Sequence, residues 1–166
     1  SLKEYLIEKG VDGSKITVVP NGVDTTSIQP SEPDQEIIEK YDLEDTKVIG
    51  FVGSITSYEG LHLVLEALKQ LNDDVSVTEH FKFLVVGDGP YRGQLETYAE
   101  YLNVSQDVIF TGKVPHEEVS KYYSVIDIAP FPRLNELVCQ LVTPIKTYEA
   151  MSMAKSVIVS DVGALK

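Results

Sequence analysis

At 166 residues the chain is long enough for one domain with a proper core and too short for two. Its 26 acidic against 14 basic side chains leave a net charge of −12, which excludes nucleic acid or an anionic membrane as its main partner. The single cysteine, Cys139, excludes an intrachain disulfide, and no apolar run approaches the ~20 residues that span a bilayer.

The spacing of apolar residues predicts a helix over Leu2–Lys9, and the β-branched run Ile16–Val19 predicts a strand. Pro20 to Pro33, rich in Pro, Asn, Gly, Ser and Thr, reads as a linker. After a helix at Gln35–Tyr41, strands and helices alternate. The strands are expected at Val48–Val52, Lys82–Val86, Val108–Thr111, Ile126–Ala129 and Val157–Ser160. The helices between them are expected at Leu61–Asn72, Tyr91–Asn103, Glu117–Tyr123 and Pro144–Met153. Continuous apolar runs, rather than strict alternation, suit strands buried on both faces of a parallel sheet. The order predicts an α/β fold, a doubly wound parallel sheet of Rossmann-like type with right-handed crossovers. Ligands of such sheets bind at the carboxyl ends of the strands, where strand order reverses. The last residues, Asp161–Lys166, read as a βα turn whose helix has barely begun, as in a fragment of a longer protein.

Thr143 to Met151 carries the most chemistry. Thr143 is a good N-cap and Pro144 a favoured first helical residue, which puts Lys146 at the third helical position. A positive charge there is unfavourable by roughly 0.3–1 kcal/mol unless an anion is nearby, so removing Lys146 is expected to leave the ligand-free fold as stable or more so. Free N–H groups at a helix start plus a lysine are the parts of a phosphate site. Glu149 shares a face with Lys146 one turn on, where a carboxylate can accept sugar hydroxyls. A surface Lys146–Glu149 pair is the structural alternative. Glycines close the strands at Gly53, Gly87 and Gly112, yet Gly53–Gly60 is neither a dinucleotide fingerprint nor a Walker loop. There is no Asp-X-Asp, and His62, His80 and His116 are scattered. Tyr122 and Tyr123 fall on a helix and read as packing residues.

Several stretches recur in one order: Val19–Asp24, Phe51–Ser54, Val86–Pro90, Phe110–Val114, Thr143–Met151 and Val157–Gly163. In series they closely resemble the C-terminal, donor-binding half of GT-B fold glycosyltransferases of family 4, the glycosyltransferase group 1 retaining enzymes. The resemblance covers essentially the whole chain. It implies that residues 1–20 are the tail of an N-terminal acceptor domain, 21–33 the interdomain linker, and 34–166 a nucleotide-sugar-binding domain incomplete at its C-terminus. It further implies Glu149 as the ribose-binding second glutamate of a Glu-X7-Glu motif. Gly112, Lys113 and Val114 would border the base, and the Gly53 amide would face the diphosphate, with Ser54 beside it.

This chain departs from the common pattern at three positions. Leu141 stands where the first glutamate of the motif belongs, with Glu136 near but at the wrong spacing. Ser54 and Glu59 stand where the family usually has an arginine and a lysine. A subgroup with Tyr-Glu-Gly in that loop resembles this chain more closely, and there Arg133 and Lys146 replace the missing cations in stabilising the diphosphate. The implied activity is transfer of a hexose-type sugar, with retention, from a nucleoside-diphosphate sugar to a glycan, lipid or small-molecule acceptor held by the other domain. No metal and no cofactor is expected, and the fragment alone is expected to be inactive. The expected location is the cytoplasm, with any membrane contact made through the other domain. The alternatives are a nucleotide-sugar epimerase of the same fold and a degenerate binding-only domain.

Overall fold

The computed structural model describes all of residues 1–166. After α1 (Leu2–Glu8) and an irregular stretch come α2 (Gln35–Tyr41), β1 (Thr46–Val52), α3 (Leu61–Asp73), β2 (His80–Val86) and α4 (Arg92–Tyr101). Then follow β3 (Val108–Gly112), α5 (Val119–Ser124), β4 (Ile128–Phe131), α6 (Leu137–Leu141), α7 (Ile145–Ser152) and β5 (Ser156–Val159). All pairings are parallel, in the order β3-β2-β1-β4-β5. The chain builds outward from β1 to β3, then returns to lay β4 on the other side of β1. That reversal opens a crevice between the carboxyl ends of β1 and β4, the place such sheets offer a ligand.

Strand alternation sorts the core into two layers. Ile49, Phe51, Phe83 and Val85 point to one face and pack on Leu61, Leu65 and Leu68 of α3 and on Leu95 of α4. Val48, Val52, Leu84 and Val86 point to the other, against Ile37 of α2, Tyr122 and Tyr123 of α5 and Ala150 of α7. Both faces of β1 and β2 are therefore buried, as their unbroken apolar sequences predict. β5, the edge strand beside β4, differs: Ile158 is 60% and Val159 43% exposed.

Three expectations need correcting. Ile16–Val19 is not a strand; Val18 and Val19 are exposed and no strand lies alongside to pair with. A β-branched run supplies the propensity for a strand, but a ladder also needs a partner edge. α6 is an added helix, too short to show a full apolar period. The strand expected at Ile126–Ala129 starts two residues later, at Ile128: Ile126 still closes the end of α5 by bonding Tyr123 O, and Asp127 caps the edge of β1 through Val48 N. The 20–33 segment is irregular, as expected, but not loose. Asn21 Nδ2 donates to Thr143 O at 2.8 Å, Ile28 is buried, and the Ser152 hydroxyl bonds Ile28 O.

The turns after β1 and β2 are pressed together. Gly87 has φ +133°, and a Cβ there would stand 2.0 Å from Gly53 O. Only glycine tolerates both the backbone angle and the approach.

Candidate functional site

The loop leaving β1 runs from Gly53 to a short turn, Ser57–Glu59, that ends at Gly60 in the left-handed region with φ +71°. A Cβ on Gly60 would lie 2.1 Å from Pro132 O, so this loop sits directly on the segment leaving β4. Leu134 N bonds Tyr58 O at 2.9 Å and fastens the two together. This docking brings Glu59 beneath Arg133 and Lys146. Lys146 Nζ donates to Glu59 Oε1 at 2.8 Å, and Arg133 Nε lies 3.7 Å from Glu59 Oε2. All three are shielded from water: the side chains of Glu59, Arg133 and Lys146 are 4%, 3% and 15% exposed.

The Lys146 ammonium also sits 4.6 Å above the Phe51 ring and 3.2 Å from where a Cβ of Gly53 would be. Burial pushes its pKa below the ordinary lysine value, and the Glu59 carboxylate pushes back. Arg133 is fixed by a 2.8 Å bond from one terminal nitrogen to Val142 O and lies over the Tyr58 ring. Lys146 therefore does not pair with Glu149, as helix spacing had suggested. Glu149 instead accepts from Tyr123, whose hydroxyl is 3.3 Å from Glu149 Oε2 and 3.2 Å from Lys146 O. Burial and the Glu149 charge raise the Tyr123 pKa far above the phenolic range, so Tyr123 remains a donor.

The start of α7 also differs from expectation. Pro144 is extended, with ψ 136°, and occupies the N-cap position, so the helix begins at Ile145 and Lys146 is its second residue. A proline cap has no side-chain acceptor, and the first N–H groups of α7 are left uncapped. Thr143 spends its carbonyl on Asn21 and does not cap.

Gly53, Ser54, Glu59, Arg133, Lys146 and Glu149 line one cleft of about 540 Å³ at the β1/β4 crevice. It continues past Gly53 and Ser54 into a second hollow of about 290 Å³ bordered by Asp88, Lys113 and Val114. Of the residues expected to bind the donor, Gly112 alone lines neither; it closes β3 with φ +75° and accepts from Gly87 N at 2.9 Å. The Gly53 amide does not face the cleft as a free donor either, since it bonds Val86 O at 2.8 Å. The next amide, Ser54 N–H, has no protein acceptor. Glu59 and Tyr123 are the residues that sequence reasoning missed. The charge pattern carries no signal for Glu59, because Glu136 already lies between the two cations in the sequence. No three His, Cys, Asp or Glu side chains gather as a metal would require. No helix is long and apolar enough to cross a membrane.

Residues 46–166 match the family described as glycosyl transferases group 1. The chain belongs to that family. It is 31% identical over 132 residues to a 2-deoxystreptamine glucosyltransferase of Streptomyces kanamyceticus, covering 78% of this chain and 33% of the relative. It is likewise 31% identical over 116 residues to a GDP-mannose-dependent phosphatidylinositol monomannoside mannosyltransferase of Mycolicibacterium smegmatis, covering 69% of this chain and 29% of that one. The chain thus spans about a third of the length of the curated relatives it matches. Among solved structures, Anabaena HepE in complex with UDP-glucose superposes with a TM-score of 0.81 at 18% identity, over 98% of this chain and 43% of that one. The C-terminal domain of a Francisella tularensis group 1 glycosyl transferase gives 0.67 at 23% identity, over 86% of this chain and 72% of that domain. The fold is that of the C-terminal domain of GT-B glycosyltransferases, a Rossmann-like parallel sheet of five strands.

Proposed function

We propose that this chain carries the donor site of a retaining glycosyltransferase and binds a nucleoside-diphosphate hexose at the β1/β4 crevice. The observation that carries the reading is the buried meeting of Arg133 and Lys146 over one carboxylate, beside the Ser54 amide and the uncapped start of α7. Around Glu59 two buried cations meet one carboxylate, a local excess of positive charge, while Glu149, the cleft's other carboxylate, is held by Tyr123. A diphosphate supplies the missing negative charge, and its own charge grows as the bond to the sugar breaks. Donors already fixed at that point stabilise the leaving group without reorganisation. On this reading Glu149, held by Tyr123, accepts ribose hydroxyls, and the Lys113–Val114 side of the crevice borders the base. The relatives' names mention UDP-glucose and GDP-mannose, which favours a nucleoside-diphosphate hexose and leaves the base open. On this reading residues 1–20 belong to the acceptor half, residues 21–33 are the linker, and the acceptor binds across the cleft.

The test is calorimetric titration of the chain with UDP, GDP and ADP and their hexose conjugates. One nucleoside diphosphate should bind saturably, and Glu149→Gln should weaken it several-fold. Silence toward every nucleotide would overturn the assignment and favour a binding site that has degenerated.

A further inference from the structure

Glu59 is an unexpected residue to find buried in a site built for an anion. A carboxylate there repels phosphate, and the loop could have carried a neutral residue. Its neighbours explain its presence. The charged and titratable groups facing Lys146 are Glu59 from the loop after β1, Arg133 from the segment after β4, Tyr123 from α5 and Glu149 from its own helix. His116 lines the same cleft and is exposed. Arg133 and burial both disfavour a charged Lys146; Glu59, in direct contact, is the main force the other way. An arginine cannot shed its proton, whereas a lysine buried beside one can. Without Glu59, relief of the repulsion would come from Lys146 becoming neutral.

Hydrogen-bond capacity points in the same direction. Glu59 takes one of the three donors of Lys146, leaving the others to the cleft. Arg133 Nε and Glu59 Oε2 are both buried without a hydrogen-bond partner and stand 3.7 Å apart, so the carboxylate bonds Lys146 through Oε1 and faces Arg133 as an ion pair through Oε2. We propose that Glu59 is a positioning residue, resting on the donor-site reading, which keeps Lys146 protonated and aligned with Arg133 for the diphosphate. It acts through the cations and touches no substrate. Its charge is an electrostatic brace in the empty site, and the incoming diphosphate then takes the larger share of both cations.

The experiment has two arms, so that failure of the donor site and failure of this role are distinguishable. In the first, the Lys146 side chain is followed by ¹³Cε NMR through an alkaline titration of the chain without ligand, with Lys146→Met assigning the signal. Glu59→Gln should lower the titration midpoint by about 1–3 pH units, the size expected for losing an opposite charge in contact. In the second, inorganic pyrophosphate, which needs no base or sugar contact, is titrated calorimetrically across the same pH range. Pyrophosphate affinity in Glu59→Gln should fall at a lower pH than in the parent, and Glu59→Gln/Lys146→Arg should abolish that early fall. A Lys146 midpoint unmoved by Glu59→Gln overturns the role of Glu59 whatever the ligand does. A moved midpoint with no pyrophosphate binding by the parent at any pH overturns the donor site and leaves the brace intact. Should Glu59→Gln fail to fold, Glu59→Asp supplies the first arm, its shorter reach lowering the midpoint by weakening the contact. An unmoved midpoint there counts against the proposal equally.

Discussion

Replacing Lys146 by methionine removes the ammonium and keeps most of the side-chain volume. The sequence alone predicted a level or raised melting temperature, because a lysine near a helix start faces the wrong end of the dipole. The geometry reverses this expectation. Lys146→Met deletes a 2.8 Å charge-assisted bond to a carboxylate that is 4% exposed and whose other oxygen has no hydrogen-bond partner. Such a bond is worth roughly 1.5–3 kcal/mol. Against this stands the dipole term of roughly 0.3–1 kcal/mol. Arg133 stays 3.7 Å from Glu59, so the carboxylate is not abandoned. The net loss is about 1–2 kcal/mol, which for a chain of this size lowers the melting temperature by about 2–8 °C. Thermal unfolding by circular dichroism at neutral pH measures it. The pH dependence adds a second signature. Lys146 has a lowered folded-state pKa, so the unfolded chain binds its proton more tightly, and stability rises with pH between the lowered and the ordinary lysine value. The parent's margin over Lys146→Met should therefore widen in the alkaline range. A variant that melts level with the parent at neutral pH, with no widening, refutes the buried Lys146–Glu59 bond.

Gly87→Ala would set a methyl 2.0 Å from Gly53 O at φ +133°, so it should destabilise by about 3 kcal/mol or more, and an unchanged unfolding midpoint would contradict the contact between the two turns. Tyr123→Phe removes the donor that holds Glu149; nucleotide affinity should fall by roughly threefold to tenfold, less than the full worth of a bond to a charged group because Tyr123 acts on the ligand only through Glu149. Calorimetry reads that change, and unaltered affinity would free Glu149 from dependence on Tyr123. Excess EDTA should leave nucleoside-diphosphate binding to the chain unchanged, whereas loss restored by Mg²⁺ would contradict a site whose charge comes from Arg133 and Lys146.

The parts of the fold readable in the sequence were those that depend on short stretches. Phe51 and Val52 sit in an unbroken apolar run because both faces of β1 are covered, and such a run declares its surroundings locally. Ile16–Val19 has the same local character without a neighbour, and pattern alone could not tell the two apart. At the site, Arg133, Lys146, Ser54 and Glu149 line one crevice because each follows a strand or lies in the first turns of a helix there. Their partners were not legible. Lys146 had a carboxylate one turn away on its own helix, and took one 87 residues distant instead. Only the docking of Gly60 on Pro132 O brings that carboxylate into reach, and nothing in the residue pattern near Glu59 announces the contact.

The most direct test of the donor site is an amide chemical-shift map of the ¹⁵N-labelled chain titrated with the nucleoside diphosphate that binds best. The account predicts saturable shifts at Gly53–Ser54, Lys113–Val114 and Ile145–Glu149, joined by the Arg133 side chain. Shifts confined elsewhere, such as the end of α4 around the exposed Tyr101, or no shifts with any nucleotide, would contradict it.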